Sequence, residues 1–178
     1  MTKQILIAGF GGQGILFSGK FLAYEGLLEN KEVSWLPSYG PEMRGGTANC
    51  SIIISDTQVG SPIVDKPDIL IAMNGPSLDK YVDAVVPGGE IYVESSLIDK
   101  KVERDDVKVY YIPATELAAK NDLAGLANMI ILGKMIKHSV IMSYDNMIST
   151  VDKVVPAKKQ HLVDANKKAL EIGYKYEA

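Results

Sequence analysis

Two short runs of consecutive apolar residues mark buried strands in the first half of the chain. The runs Ile5–Ala8 and Ile69–Ala72 are each followed closely by turn-forming residues. Uninterrupted apolar runs of this length are typical of strands that are covered on both faces, as in a parallel sheet. We therefore predict a β-strand at each run and place the first one in the centre of a sheet.

The remaining pattern alternates between strands and helices. Apolar and polar residues alternate over 47–55, which predicts a strand with one covered face, and helical spacing predicts a helix over 14–29. Further strands are predicted at 33–36, 90–94 and 107–112, and further helices near 78–85, from Pro113 onward, over 123–137 and after Pro156. This order predicts an α/β fold, namely a single Rossmann-like domain over residues 1–178 with a mostly parallel sheet flanked by helices and with C-terminal helices.

The predicted helix over 123–137 has almost no polar face. A helix of this kind is buried either in the core or beneath another chain. We expect other subunits to cover part of this helix and part of the loop around Met43, because large exposed apolar patches favour association.

Composition narrows the possible functions. The chain has 178 residues, of which 47% are hydrophobic and 23% charged, and its net charge is −3. This is typical of a folded protein and argues against a nucleic-acid partner, since its basic residues are outnumbered by acidic ones. The lack of a long apolar segment or a signal peptide predicts a cytoplasmic protein without a membrane span.

Cys50 is the single cysteine of the sequence. One thiol can form neither an internal disulfide nor, by itself, a cysteine-ligated zinc or iron–sulfur site. Because Cys50 lies on the apolar side of its predicted strand, we expect it to be inert packing. His138 and His161, the two histidines, show no metal-ligand spacing, and no nucleophile motif is present, so we predict no catalytic residue and no metal site in this chain.

The segment Gly9-Phe10-Gly11-Gly12-Gln13-Gly14 fits the pattern G-x-G-x-x-G between a predicted strand and a predicted helix. Glycines at such a turn let the backbone approach a diphosphate, and the free N–H groups and the helix dipole face the anion. The sequence therefore predicts a site for a nucleotide-like ligand. The alternative is a loop that needs glycine only for its tight turn and for helix packing.

An adenine dinucleotide would need an acidic residue at the end of the second strand to bind the ribose. That position reads Ser34-Trp35-Leu36-Pro37, and Glu29 and Glu32 lie at the wrong end of the strand. A small nicotinamide-dependent reductase is therefore the lesser interpretation. A nucleotide-sensing module is a third, but it leaves the next motif unexplained.

The second motif is Pro37-Ser38-Tyr39-Gly40-Pro41-Glu42-Met43-Arg44-Gly45-Gly46. Its prolines and glycines predict a loop of unusual path, and Arg44 beside two glycines can present its guanidinium to a phosphate or to a carboxylate of a partner. An ion pair of Arg44 with Glu42 or Asp56 is an equally good interpretation.

These two motifs, together with Asn128-Met129-Ile130-Ile131-Leu132-Gly133, resemble the gamma subunit of 2-oxoacid:ferredoxin oxidoreductases, most closely the small 2-oxoglutarate type. The resemblance implies a complex that decarboxylates a 2-oxo acid, transfers the acyl group to coenzyme A and reduces ferredoxin. It also implies thiamine diphosphate, Mg²⁺ and iron–sulfur clusters on partner chains, namely alpha, beta and ferredoxin-like subunits. Pyruvate and branched-chain 2-oxo acids are the alternative substrates.

The resemblance also implies that this chain helps to hold coenzyme A. The N–H groups of Gly11, Gly12, Gln13 and Gly14 are expected to receive the diphosphate, with Ser38, Arg44 and Asn74 nearby at the carboxyl ends of the strands. Asn74 has an equally good interpretation as a turn residue. For Asn128 we expect a buried amide that ties a helix to its neighbour.

Overall fold

The computed structural model of the chain describes residues 1–38 and 47–177. These residues contain one six-stranded sheet in the order β2-β3-β1-β4-β5-β6. The strands are β1 (Thr2–Phe10), β2 (Glu32–Ser38), β3 (Thr47–Ser55), β4 (Ile69–Ala72), β5 (Glu90–Glu94) and β6 (Lys108–Ile112).

Strand β1 lies inside the sheet, as its apolar run predicts. It pairs in parallel with β4, and the parallel arrangement continues through β5 to β6. On its other side β1 pairs with antiparallel β3, which in turn pairs with antiparallel β2. Strand β2 therefore runs parallel to β1 with β3 between them, and the expectation of a mostly parallel α/β sheet is confirmed.

Within residues 1–38 and 47–177, six α-helices pack around this sheet. They are α1 (Ile15–Leu28), α2 (Gly75–Tyr81), α3 (Ala114–Lys120), α4 (Ala127–Ser139), α5 (Tyr144–Val154) and α6 (Val163–Lys175), and short 3₁₀ turns span Val82–Ala84 and Ala157–Leu162. Among the described residues no helix is long and apolar enough to cross a membrane.

Alternate side chains of the strands enter two separate apolar clusters. Ile5 and Ile7 of β1 belong to the larger cluster, which includes α1, α4, α5 and α6, whereas Leu6 belongs to a smaller cluster with Leu78 of α2. Because successive side chains of a strand point to opposite faces, both faces of the sheet are covered. This explains why the central strands are continuously apolar.

Two predicted strands differ from what the structure shows. Strand β2 continues through Pro37, because an edge strand tolerates a residue that lacks an N–H group. Strand β3 was expected to be half covered, yet Ser51 and Ser55 are buried as well. Its polar side chains find partners instead of water, since Ser55 Oγ bonds Thr2 Oγ1 at 2.7 Å and Asn49 donates to the Tyr81 hydroxyl at 3.2 Å.

Helix α4 is buried by its own chain, so the expectation that other subunits cover it is wrong. Gly133 of α4 and Gly173 of α6 lie where the two helices touch backbone to backbone. A Cβ atom at Gly133 would lie 2.0 Å from the Leu170 carbonyl oxygen, and one at Gly173 would lie 1.7 Å from that of Ile130. This close approach lets α6 cover the apolar residues that made α4 look like an interface. The loop around Met43 lies outside the described residues.

Candidate functional site

The glycine motif forms the connection between β1 and α1, at the carboxyl edge of the sheet. Strand β1 extends to Phe10 and α1 begins at Ile15, so the turn itself is only four residues long. Within it Gly12 has φ of 93° and Gly14 has φ of 75°. Both values lie in the region that residues with a Cβ atom rarely adopt, which explains glycine at these two positions.

The turn and the first turn of α1 leave backbone N–H groups unpaired. Among the described residues, no acceptor is found for the N–H groups of Gly11, Gly12 and Gly14, and no side chain caps α1. The N–H group of Gln13 differs from our expectation, since it donates to the Phe10 carbonyl at 3.3 Å within the turn. The free groups point to an anion as the ligand, because the helix dipole adds positive potential there.

The side chain of Gln13 fixes the turn to the sheet. Its Oε1 atom accepts a hydrogen bond from the Phe10 N–H at 2.6 Å, and its Nε2 atom donates to the Met73 carbonyl at 3.0 Å. The same amide thus joins the end of β1 to the residue that follows β4. Gln13 therefore acts by positioning the turn, a role that the motif alone did not indicate.

Asn128, the second residue of α4, contacts the glycine turn and α1 through its side-chain amide. Its Nδ2 atom donates to the Gly14 carbonyl at 3.3 Å and to Ser18 Oγ at 3.0 Å. A Cβ atom at Gly14 would lie 2.5 Å from this nitrogen. The interpretation of Asn128 as a buried amide that ties two helices together is confirmed.

Asn74 lies next to the glycine turn, since it follows Met73, whose carbonyl accepts a hydrogen bond from Gln13 Nε2. Asn74 is the N-cap of α2, where its Oδ1 atom accepts from the Ser77 N–H at 2.8 Å, and this agrees with its interpretation as a turn residue. Ser38 ends β2 and pairs with Asn49 of β3, so it lies two strands from β1, about 10 Å away. Arg44 lies outside the described residues.

Three open clefts surround Gly12. One of about 240 Å³ is bounded by Gln13, Thr115 of α3 and Gly125, which precedes α4. A second of about 200 Å³ lies between α1, α4 and the start of α6, and a third of about 280 Å³ lies along Phe10 and Phe17. The second cleft includes Lys159, an exposed residue of the 3₁₀ turn Ala157–Leu162, in the segment after Pro156 where the sequence predicted a helix. No local signal could have placed it here, because packing brings it from 145 positions away, the difference between residues 159 and 14.

The buried Glu94 carboxylate binds Thr115, which lines the first cleft. Glu94, at the end of β5, accepts hydrogen bonds from the Thr115 N–H at 3.2 Å and the Thr115 hydroxyl at 3.0 Å. A third bond, from the Ser96 N–H at 3.1 Å, is accepted by Oε1, which also accepts the bond from the Thr115 N–H. Since all three contacts are internal, Glu94 positions α3 and is not free to bind a ligand.

Neither glutamate near β2 can serve as a ribose acceptor. The Glu29 carboxylate accepts from the Ser143 N–H at 3.1 Å and from Asn146 Nδ2 at 2.7 Å, and these bonds lower its pKa. Glu32 begins β2, at the edge of the sheet opposite the turn. A dinucleotide in the usual pose therefore finds no ribose anchor at either residue.

Cys50, His138 and His161 do not line the three clefts around Gly12. The Cys50 side chain is fully buried and receives a hydrogen bond from Trp35 Nε1 at 2.9 Å, while burial raises the pKa of the thiol to about 12. Such a thiol stays protonated and unreactive. His138 stacks on Tyr110 with 4.4 Å between the ring centroids, and among the described residues no metal-binding cluster is found.

The parallel half of the sheet and the glycine turn after β1 define a Rossmann-like domain, and the first turn of this domain leaves N–H groups without acceptors among the described residues. Comparison with known proteins identifies the family to which this domain belongs. The chain belongs to the pyruvate ferredoxin/flavodoxin oxidoreductase family, whose sequence model matches residues 4–176. The resemblance read from the three motifs is confirmed.

The chain is similar in sequence to subunits of two oxidoreductases. The chain is 40% identical over 170 residues to the ketoisovalerate oxidoreductase subunit VorA of Methanothermobacter thermautotrophicus, covering 96% of this chain and 35% of that protein. It is 38% identical over 159 residues to the 2-oxoglutarate synthase subunit KorC of Methanocaldococcus jannaschii, covering 88% of this chain and 85% of that protein. The chain thus spans about a third of the VorA proteins but most of KorC.

Solved structures share the fold. The gamma subunit of a keto/oxoacid ferredoxin oxidoreductase from Geobacter sulfurreducens matches with a TM-score of 0.83 and 27% identity, over 97% of this chain and 96% of that one. The 2-oxoglutarate:ferredoxin oxidoreductase from Magnetococcus marinus, solved with 2-oxoglutarate, coenzyme A and succinyl-CoA bound, matches with a TM-score of 0.84 and 23% identity. That match covers 97% of this chain and 30% of the other.

Proposed function

We propose that this chain is the gamma subunit of a 2-oxoacid:ferredoxin oxidoreductase and that residues 1–178 form its one domain. Family membership and the likeness to a gamma subunit support this role. The substrate that we favour is 2-oxoglutarate, because KorC is named for it and aligns over most of its length. A branched-chain 2-oxo acid is the second candidate, supported by the higher identity to VorA, and pyruvate is the third.

The chain contributes part of the coenzyme A site. The single observation that carries this proposal is the glycine turn, whose unpaired N–H groups at Gly11, Gly12 and Gly14 stand before the N-terminus of α1. A diphosphate carries the charge that such a turn binds. The homologous complex solved with coenzyme A supports this choice of ligand over a dinucleotide.

The reaction chemistry belongs to partner chains. A thiamine diphosphate site needs a Gly-Asp-Gly motif, and a cluster needs several thiolates, but the sequence has no such motif and one cysteine. The residues of this chain therefore do not fit thiamine diphosphate, Mg²⁺ or an iron–sulfur cluster. We assign these groups to alpha, beta and ferredoxin-like subunits in the cytoplasm, and we expect the isolated chain to turn over no 2-oxo acid.

Purification of the native complex tests the assignment. The tagged chain is isolated under anoxic conditions, its co-purifying chains are identified, and acyl-CoA formation is measured with 2-oxoglutarate, 2-oxoisovalerate and pyruvate. We expect thiamine-dependent chains and the highest activity with 2-oxoglutarate. Recovery of the chain alone, or turnover by the isolated chain, would contradict the proposal.

A charge introduced at Gly12 tests the role in coenzyme A binding. Gly12→Asp places a carboxylate beside the free N–H groups, whereas Gly12→Asn has the same shape and the same backbone strain without the charge. No atom lies within 4 Å of a Cβ atom at this position, so both side chains fit. In the assembled enzyme we expect the dissociation constant for coenzyme A to rise about tenfold more in Gly12→Asp than in Gly12→Asn, since the added carboxylate repels the diphosphate. Equal dissociation constants in the two variants would refute the role.

A further inference from the structure

Strand β2 forms one edge of the sheet, and part of its backbone points away from the sheet. The Asp56 N–H donates to the Met1 carbonyl at 2.9 Å, so the even-numbered residues of β3 bond to β1 and the odd-numbered residues bond to β2. In the β2–β3 register the odd-numbered residues face Glu32, Ser34, Leu36 and Ser38. The N–H groups of Val33 and Trp35 therefore point outward, where no strand of the described residues pairs with β2.

The outward N–H groups are arranged symmetrically about Ser34. On one side they end at Pro37, which has no N–H group, and on the other at Lys31, whose N–H is already bonded within the chain. A second copy of the strand, related by a two-fold axis through Ser34, runs antiparallel to the first and places Val33 of one copy opposite Trp35 of the other. Each such pair exchanges two hydrogen bonds, so every outward N–H group between Lys31 and Pro37 finds an acceptor.

The side chains of β2 suit the same pairing. Glu32, the one charged residue of this strand, comes opposite Leu36 of the second copy, so no like charges face each other. Val33 comes opposite Trp35 of the second copy, and such aromatic and β-branched pairs stabilise neighbouring strands. The other edge strand, β6, is shorter and begins with Lys108, a charge that disfavours edge pairing.

Helix α1 adds exposed apolar side chains beside the outer edge of β2. Gly19 and Gly26 of this helix pack against the side chains of β2. Helical periodicity places Tyr24 and Leu27 on one side of these glycines and the fully buried Glu25 on the other. Since the Glu25 side faces the core, Tyr24 and Leu27, which are 39% and 57% exposed, lie on the side of the outer edge.

The edge therefore carries a concentration of exposed apolar residues. Tyr24, Leu27, Trp35 and Leu36 are four of the nine large hydrophobic side chains that are exposed among the described residues. Contiguous apolar surface of this kind marks an interaction site. A two-fold axis perpendicular to the sheet brings the α1 helices of both copies to the same face, where their Tyr24 and Leu27 side chains cover each other.

We infer that two copies of this chain associate through β2 and α1 about a two-fold axis at Ser34, so that their six-stranded sheets join into one continuous sheet. In an oxidoreductase complex this contact joins two gamma subunits. The inference is independent of the proposed coenzyme A site, because no residue of β2 lines any of the three clefts around Gly12.

The first test measures the association of the purified chain by sedimentation velocity at a series of concentrations. The wild type is compared with Ser34→Lys, which places two lysines together at the axis. Ser38→Lys is the matched control, since Ser38 lies on the same face of β2 but comes opposite Asn30 of the second copy. We expect the wild type and Ser38→Lys to form dimers and the dissociation constant of Ser34→Lys to be about tenfold higher or more. Circular dichroism checks that both variants are folded.

A disulfide tests the register directly. Ser34 comes opposite itself in a pair without hydrogen bonds, where the Cα atoms lie about 4.5 Å apart, a distance that a disulfide can span. Under oxidation we expect Ser34→Cys to form a covalent dimer and Ser38→Cys to form none, both in the purified chain and in the purified complex. Cys50 is buried and does not interfere.

A wild-type chain that remains monomeric at every concentration overturns the inference, as do equal dissociation constants for Ser34→Lys and Ser38→Lys. A Ser34→Cys thiol that links to a different chain of the complex also overturns it, because the edge of β2 then binds a partner subunit. None of these results contradicts the proposed function, which is tested by the co-purifying chains and by the Gly12 variants.

Discussion

Replacement of Glu25 tests the electrostatic cost of a carboxylate buried in α1. The Glu25 side chain is fully buried, and neither carboxylate oxygen has a hydrogen-bond partner among the described residues. Burial, followed by the nearby charge of Glu29, raises the pKa of Glu25 from its ordinary 4.5 to about 8. The folded chain therefore holds this group as a neutral acid at neutral pH.

The direction of the pH dependence follows from linkage. Below about pH 4.5 the carboxyl is protonated in both the folded and the unfolded chain, so it does not oppose folding. Between about pH 4.5 and about pH 8 the unfolded chain ionises while the folded chain does not, and stability falls as the pH rises. From about pH 5 to about pH 8 the loss amounts to about 3 kcal/mol.

Urea unfolding of the wild type and of Glu25→Gln at about pH 5 and about pH 8 measures this loss. We expect the wild type to lose about 3 kcal/mol more than the variant over this range, a difference of roughly 1.5 M in the unfolding midpoint. Glu116→Gln serves as the control, because Glu116 is exposed and pairs with Lys120 on the surface of α3. The same pH dependence in the wild type and Glu25→Gln would refute the reasoning.

Three further predictions concern packing and reactivity. Gly133→Ala should lower the free energy of unfolding by about 2 to 3 kcal/mol, because the added methyl group meets the α6 backbone. Gly75→Ala is the control and should change it little, since no atom lies within 4 Å of a Cβ atom there. Equal effects of the two substitutions in urea unfolding would contradict this prediction. Asn128→Ala should cost about 1 to 2 kcal/mol in the same assay through its two lost hydrogen bonds, and no loss would mean that these bonds do not stabilise the fold. Cys50 should resist a thiol reagent in the native chain and react after unfolding, while fast native labelling would contradict its burial.

The parts of the fold that could be predicted are those encoded by short stretches of sequence. The apolar run of β1 and the glycines that follow it determine local conformation, so the central strand, the turn and α1 were all predicted correctly. Helix α5 was missed, although Ser143 and Asn146 carry a local signal. The Ser143 hydroxyl caps the helix by accepting from the Asn146 N–H at 3.2 Å.

The surroundings of the turn could not be predicted in the same way. Thr115 and Lys159 reach it only through the packing of α3 and of the 3₁₀ turn before α6, and neither has a neighbouring motif that predicts this. The burial of α4 was misjudged for a related reason. The sequence of an apolar helix does not show whether its own chain or another chain buries it. Here the burial of α4 depends on the close packing of α6 at Gly173, 40 positions from Gly133.

The backbone contact between α4 and α6 also limits how the second cleft, between α1, α4 and the start of α6, can change shape when a ligand binds. Each of these helices has a glycine packed against a backbone carbonyl of the other, so they cannot move closer without a clash, and Asn128 and Asn166 are held at a fixed separation. The 3₁₀ turn Ala157–Leu162, which is exposed and has a non-helical kink at Lys159, is free of this restraint. We therefore expect any change in the shape of this cleft to occur in the turn Ala157–Leu162, which carries Lys159, while Asn128 and Asn166 keep their positions.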